Sequence, residues 1–93
     1  MAMGILGQLV NSAGTQTVTV YTVPAGKVAV FNIFATGLSS DQYGSVYINN
    51  ARVITTSGGV VNSTEIKSII GNAGTTVQFE RCTGIVTGYE EDA

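Results

Sequence analysis

Apolar and polar residues alternate along several short segments of this chain, which is typical of strands with one buried face. Val18 and Val20 alternate with threonines, and Val77 and Phe79 alternate with polar residues. Clusters rich in Gly, Asn and Ser separate these segments at intervals of about 8–12 residues. The pattern predicts about seven or eight short antiparallel strands, and it indicates no helix.

One segment, from Lys27 to Thr36, is apolar on both faces. A central strand covered on both sides has this composition, whereas its many β-branched and aromatic residues argue against a buried helix. In a small two-sheet domain, one face of such a strand meets the other sheet and the second face requires a neighbour. We therefore expect a subunit contact here, through Ala29, Phe31 and Ile33, with Val28, Val30 and Phe34 on the opposite face.

The connections also carry readable signals. Pro24 and Gly26 predict a tight structural turn, with Pro24 at its second position, because proline presets φ and glycine accepts the positive φ that follows. The Asn49-Asn50 pair predicts a hairpin, since asparagine tolerates positive φ. Thr83 and Gly84 predict a further turn before the last strand.

These elements predict one small all-β domain, a β-sandwich of jelly-roll type, with a barrel as the alternative. We place an N-terminal arm at residues 1–12, the sandwich at 13–90 and an acidic, solvated tail at 91–93. The arm is expected to add a strand or to dock on a neighbour. Its apolar residues are Ile5, Leu6, Leu9 and Val10.

Composition strengthens the case for a covered surface. Only 11% of the 93 residues are charged, against about 25% in ordinary soluble domains, while 44% are hydrophobic. A small domain has a high ratio of surface to volume and normally covers its surface with charged residues. The low charge content therefore indicates that other protein covers part of this surface. A surface rich in Thr, Ser and Asn is the alternative explanation.

The candidate chemistry is sparse. The chain has no His, and its single cysteine, Cys82, suits a small packed side chain. A carboxylate pair of Glu65 with Glu80, or of either with Asp41, is the one conceivable acid–base site, but strand carboxylates are ordinary surface groups. We therefore expect no catalytic residue, no cofactor and no metal site, and hence no enzyme.

The charge pattern also bears on partners. The net charge is −2, and the four basic residues are scattered along the chain. Phosphate backbones and anionic membranes are bound by clusters of Lys and Arg, so we expect neither nucleic acid nor a membrane as a partner. No apolar run approaches the length of a membrane span, and residues 1–13 lack the pattern of a secretory signal.

Two segments carry a resemblance. Residues 17–34 contain Tyr-Thr-Val-Pro-Ala-Gly-Lys between two strand-like stretches, and residues 84–91 read Gly-Ile-Val-Thr-Gly-Tyr-Glu-Glu. Together with the Val46-Tyr47-Ile48 hairpin segment, they resemble small virion proteins of tailed bacteriophages. The resemblance implies a small β-sandwich that serves as a building block of the capsid decoration, tail, baseplate or fibre.

From this resemblance we expect a capsid decoration, or cement, protein located on the virion and made in the host cytoplasm. Its partners would be copies of itself, in a trimer or another cyclic oligomer, and the major capsid protein. A tail, collar, baseplate or fibre component is the alternative. A hypothesis of a different class is a carbohydrate-binding module that uses its tyrosines, Tyr21, Tyr43, Tyr47 or Tyr89, as a platform.

Overall fold

The computed structural model of the chain describes residues 4–9, 16–37, 44–55 and 63–93. Within these ranges the chain forms eight strands and no helix, so the predicted all-β class is confirmed. The strands are β1 (Gly4–Leu9), β2 (Thr17–Thr22), β3 (Lys27–Gly37), β4 (Ser45–Ile48), β5 (Ala51–Thr55), β6 (Ser63–Asn72), β7 (Thr76–Glu80) and β8 (Cys82–Asp92).

The strands form two four-stranded antiparallel sheets. Sheet A has the order β1-β8-β3-β6, and sheet B has the order β2-β7-β4-β5. The pairs β1–β8, β2–β7, β3–β6 and β4–β5 are nested along the chain, like one long hairpin rolled so that successive pairs fall in opposite sheets. This nesting is the jelly-roll form of the β-sandwich. The predicted fold is therefore confirmed.

The core lies between the two sheets, because the inward positions of the strands are apolar. Phe31 of sheet A meets Tyr21 of sheet B edge to face, with ring centroids 5.9 Å apart and ring planes at 70°. Each fully buried large side chain stabilises the fold by about 1.5–3 kcal/mol relative to its exposed form. The buried apolar residues are Tyr21, Val23, Ala29, Phe31, Ile33, Ala35, Val46, Val77, Phe79, Cys82 and Val86.

Ala29, Phe31 and Ile33 are fully buried within a single chain. The expectation that they contact a neighbouring subunit is therefore wrong. Their face of β3 meets sheet B, and the opposite face, which carries Val28 and Phe34, points away from the core. Both faces of this segment are apolar, and the alternation alone does not say which of them faces the other sheet.

The turn between β2 and β3 spans Pro24 to Lys27, where the amide of Lys27 donates a 3.2 Å hydrogen bond to the carbonyl of Pro24. Gly26, with φ of 77°, occupies the third position, as a type II turn requires. Pro24 therefore takes the first position rather than the predicted second. Asn49 and Asn50, with φ of 53° and 66°, form the predicted hairpin turn between β4 and β5.

The turn predicted at Thr83 and Gly84 is wrong. The chain reverses two residues earlier, at Arg81, whose φ is 55°, and both predicted turn residues lie inside β8. Gly84 is instead a point of close approach. A Cβ atom there would collide with the carbonyl oxygen of Phe34 and would lie 2.9 Å from the ring of Phe79.

Both predicted terminal segments contribute to sheet A. Residues 4–9 of the predicted arm are β1, an edge strand paired with β8 of the same chain. The acidic end is not a separate tail, because β8 continues through Asp92. Asp92 forms a 2.5 Å ion pair with Lys27, and the amide of Ala93 donates a 2.9 Å hydrogen bond to the carbonyl of Gly26.

Candidate functional site

The outer face of sheet A carries seven large apolar side chains, with polar residues such as Asn32 and Thr87 among them. Because side chains alternate along a strand, the residues between the buried positions of β3 and β8 point outward. Cross-strand register aligns Tyr89, Val30 and Ile70 in one row, and it places Ile85 beside Phe34. We call this surface the apolar face and define it by Ile5, Val28, Val30, Phe34, Ile70, Ile85 and Tyr89.

Three members of the apolar face are strongly exposed. Ile70 retains 71% of its accessible surface, Ile5 retains 62% and Phe34 retains 42%. Isolated exposed apolar residues are common on protein surfaces, whereas a group that shares one sheet face is a candidate interaction surface. An exposed ion pair between Lys67 and Glu65, at 3.7 Å, lies on the edge strand β6 that borders it.

The edge strand β6 is interrupted where it borders the apolar face. The register between β3 and β6 shifts between Phe31 and Ile33, and Ser68 takes a φ of 61°. The side-chain oxygen of Asn32 accepts a 2.9 Å hydrogen bond from the amide of Ser68, which stabilises the bulge. Bulges of this kind twist an edge strand and discourage pairing with another chain. Association of the apolar face through strand addition at β6 is therefore disfavoured.

The outer face of sheet B has the opposite character. The outward positions around β7 carry hydroxyl, amide and charged side chains, and Val53 on the edge strand β5 is the exposed large hydrophobic residue of this sheet among the described residues. A shallow groove of about 290 Å³ runs over β7 on this face. We call it the polar groove, and its lining residues are Thr17, Tyr47, Asn50 and Gln78.

A short hydrogen-bonded network holds Tyr47 at the side of the polar groove. The Tyr47 hydroxyl donates to Oε1 of Glu80 at 3.0 Å and accepts from Nη2 of Arg52 at 3.2 Å. The guanidinium carbon of Arg52 also lies 5.7 Å from the ring centroid of Tyr47, within the range of a cation–π interaction. One positive and one negative side chain thus meet at a single hydroxyl, so their charges offset each other beside the groove.

Gln78 supplies the floor of the polar groove and is incompletely paired. Its Oε1 atom is buried and has no hydrogen-bond partner among the described residues. Leaving a buried acceptor unpaired costs about 1–3 kcal/mol, and native proteins contain few such atoms. A turn of this side chain would bring the acceptor to the groove, where a ligand hydroxyl or N–H group could pair with it.

The N-terminal residues predicted for a subunit interface do not share one environment in the structure. Ile5 lies on the apolar face, but Leu6 and Leu9 point inward and pack against the core. Val10 lies outside the described residues. Sequence reasoning missed Val28, Val30 and Phe34 as an outward-facing interaction group, although their period of two on β3 was readable, and it missed Ile70 on β6.

The four tyrosines likewise have different surroundings. Tyr21 is buried in the core, Tyr47 borders the polar groove and Tyr89 lies on the apolar face. Tyr43 lies outside the described residues. They therefore do not form one platform. The signal that could have found the groove is the register around Phe79, since a buried Phe79 places Gln78 on the outer face.

The groups considered for catalysis are not assembled by the structure. Glu65 lies on β6 of sheet A and Glu80 on β7 of sheet B, while Asp41 lies outside the described residues. Cys82 is fully buried, with its Sγ atom 3.5 Å from the carbonyl oxygen of Ser45. Across the described ranges, no group of three or more His, Cys, Asp or Glu residues is placed to hold a metal ion.

A search of the described part of the chain also finds no helix that is long and apolar enough to cross a membrane. A scan against protein-family models and searches of curated proteins and of solved structures gave no significant match. The features that bear on function are therefore the two outer faces and the motifs of the sequence.

Proposed function

We propose that this protein is a non-enzymatic structural subunit of a bacteriophage particle, in the role of a capsid decoration or cement protein. The observation that carries the proposal is the contrast between the outer faces of the two sheets, since the exposed large apolar side chains of the described residues lie mainly on sheet A. A two-faced sandwich of this kind is suited to bury one side in an assembly and to expose the other. The Tyr21–Lys27 motif and the 84–91 segment, which resemble phage virion proteins, support the same role.

The outer face of sheet A, which contains the apolar face, approaches the size of a standard protein contact. Sheet A contains four strands, two of them 11 residues long. With strands about 4.8 Å apart and a rise of about 3.4 Å per residue, its flat area is about 600 Å². Standard protein interfaces bury about 800 Å² of accessible surface on each partner. Accessible surface is larger than flat area because the protruding side chains add to it. The face therefore suits a contact with a second copy of this chain in a closed, cyclic oligomer.

Solution size tests the self-association step. Light scattering after size-exclusion chromatography is expected to give an oligomer for the wild-type chain. Phe34→Glu places a charge on the apolar face beside Ile85 and is expected to give a folded monomer. Thr19→Glu makes the same change of charge on the outer face of sheet B and is expected to remain oligomeric. A monomeric wild-type chain would remove this part of the proposal.

Copy number tests the location on the particle. Quantitative mass spectrometry of purified particles would measure copies of this chain per copy of the major capsid protein. A simple lattice fraction supports decoration of the capsid. A ratio of a few per cent assigns the chain to the tail, collar, baseplate or fibre instead. Absence from the particle rejects the phage structural role altogether.

A further inference from the structure

We propose that the polar groove is a binding site for a neutral carbohydrate, contacted through the side chains of Thr17, Tyr47, Asn50 and Gln78. This site lies on sheet B, away from the apolar face, so it is independent of the assembly role proposed above. The outer face of sheet B, which the assembly role leaves exposed, would then bind a carbohydrate ligand.

The chemistry of the lining favours a polyhydroxylated ligand. Hydroxyl and amide side chains offer both donors and acceptors at fixed positions, and sugar hydroxyls require both. The groove contains one acceptor, Gln78 Oε1, that is already desolvated and unpaired. Because this atom is enclosed in the free chain, the Gln78 amide has to turn towards the groove to accept a ligand hydroxyl, and the turn breaks no hydrogen bond of Oε1. A purely apolar ligand would leave the acceptor unpaired.

The electrostatics argue against an anionic ligand. Arg52 is engaged with Tyr47, and the same hydroxyl donates to Glu80, so the network beside the groove contains both charges. The whole chain carries a net charge of −2. A phosphate or sulfate would approach a carboxylate with no unopposed cation in the lining. A neutral sugar avoids this penalty.

The position of the groove argues against an extended peptide. Peptides that bind sheets usually add a strand to a free edge, where main-chain groups are unpaired. The polar groove lies over β7, which is hydrogen-bonded to β2 on one side and to β4 on the other. Only side chains face the groove, so recognition must use side-chain hydrogen bonds.

The length of the groove suggests more than one sugar unit. Thr17 pairs with Glu80 at one end of β7, and Asn49, next to Asn50, bonds to Thr76 at the other end. Four residue steps at about 3.4 Å each separate these ends by about 14 Å. We therefore assign the site to a short oligosaccharide segment rather than to a monosaccharide.

Nuclear magnetic resonance titration of the labelled full chain tests this proposal. The probes are maltotriose, cellotriose and chitotriose, added separately to millimolar concentration, where weak sites are detectable. We expect one of them to shift the resonances of Thr17, Tyr47, Asn50 and the Gln78 side-chain amide in a saturable way. Gln78→Ala should weaken that binding about tenfold or more, since the site would lose its central hydrogen bond.

The controls separate this site from the rest of the surface. Gln8→Ala removes an exposed amide from β1 of sheet A and should leave the affinity unchanged, and the amide spectrum of each variant verifies its fold. No saturable shift with any of the three sugars would overturn the proposal, as would wild-type affinity in Gln78→Ala. Binding of an extended pentapeptide in the groove, with no response to sugars, would also overturn it.

Discussion

Tyr21 and Glu90 connect the two sheets through a hydrogen bond of 2.7 Å, which the Tyr21 hydroxyl donates to Oε2 of Glu90. Tyr21 lies on β2 of sheet B and Glu90 on β8 of sheet A. Burial of the ring, followed by the hydrogen bond to Glu90 and its negative charge, raises the pKa of Tyr21 well above its ordinary value. The folded chain therefore binds the phenolic proton more tightly than the unfolded chain does.

This linkage predicts a loss of stability at alkaline pH. The contribution of Tyr21 is complete below the unfolded pKa of about 10 and is lost as the pH rises from there towards the higher folded pKa. One proton limits the slope to about 1.4 kcal/mol of unfolding free energy per pH unit. Urea unfolding on both sides of pH ~10 measures it. Tyr21→Phe should reduce the slope, whereas an equal slope in the wild-type and variant proteins would contradict the linkage.

The corrected position of Phe31 predicts a large effect on folding. Phe31→Ala should lower the unfolding free energy by about 3–5 kcal/mol, because it leaves a cavity between the sheets. Val53, on β5, is 43% exposed and lies outside the apolar face. Val53→Ala should therefore cost less than about 1 kcal/mol. Chemical denaturation of both variants makes the comparison, and a similar loss in the two would place Phe31 outside the core.

We expect a single added methyl group at position 84 to destabilise the fold. Gly84→Ala would force the new Cβ against the backbone of Phe34, and overpacking of this kind typically costs about 1–3 kcal/mol or more. Gly4→Ala is a matched control, since no atom lies within 4 Å of a Cβ built there. Thermal unfolding should show a clearly lower midpoint for Gly84→Ala and little change for Gly4→Ala. An unaffected Gly84→Ala would show that β3 and β8 are not so closely apposed.

We expect Gln78 to lower the stability of the fold while it contributes to ligand binding in the polar groove. Replacing it with leucine removes the unpaired buried acceptor, so Gln78→Leu should raise the unfolding free energy by about 1 kcal/mol. Gln8→Leu, on the exposed edge strand β1, should change it little. Urea denaturation of the two variants checks the difference. A destabilised Gln78→Leu would indicate that the amide is needed by the fold itself.

We expect the thiol of Cys82 to be unreactive in the folded protein. Burial raises the pKa of Cys82, and the thiolate is the form that reacts with disulfide reagents. Ellman's reagent should therefore label the native protein very slowly at neutral pH and label the urea-unfolded chain at once. Rapid labelling of the native protein would mean that the β7–β8 end of the sandwich opens readily.

The fold was readable from the sequence because its alternation is regular and its turns carry Pro, Gly and Asn at the required positions. The orientation of β3 was not readable, since Phe31 and Phe34 are equally apolar and only the packed sheets decide which one is inside. Arg81 was missed as a reversal because a positive φ at arginine is unusual and Thr83-Gly84 is the better local turn signal. The polar groove depends on side chains from three strands and one turn, which no local pattern brings together.

The pairing of β1 with β8 has a consequence for how the chain reaches its fold. Gly4 pairs with Gly88, and β8 also provides the central partner of β3 along its whole length. During synthesis, sheet A therefore lacks an inner strand until residues 82–92 have left the ribosome. Such non-local pairing makes folding slow compared with proteins built from local contacts. Until β8 is available, the apolar surfaces of the strands already synthesised stay exposed. The chain is therefore most prone to misassembly in the period before β8 is synthesised.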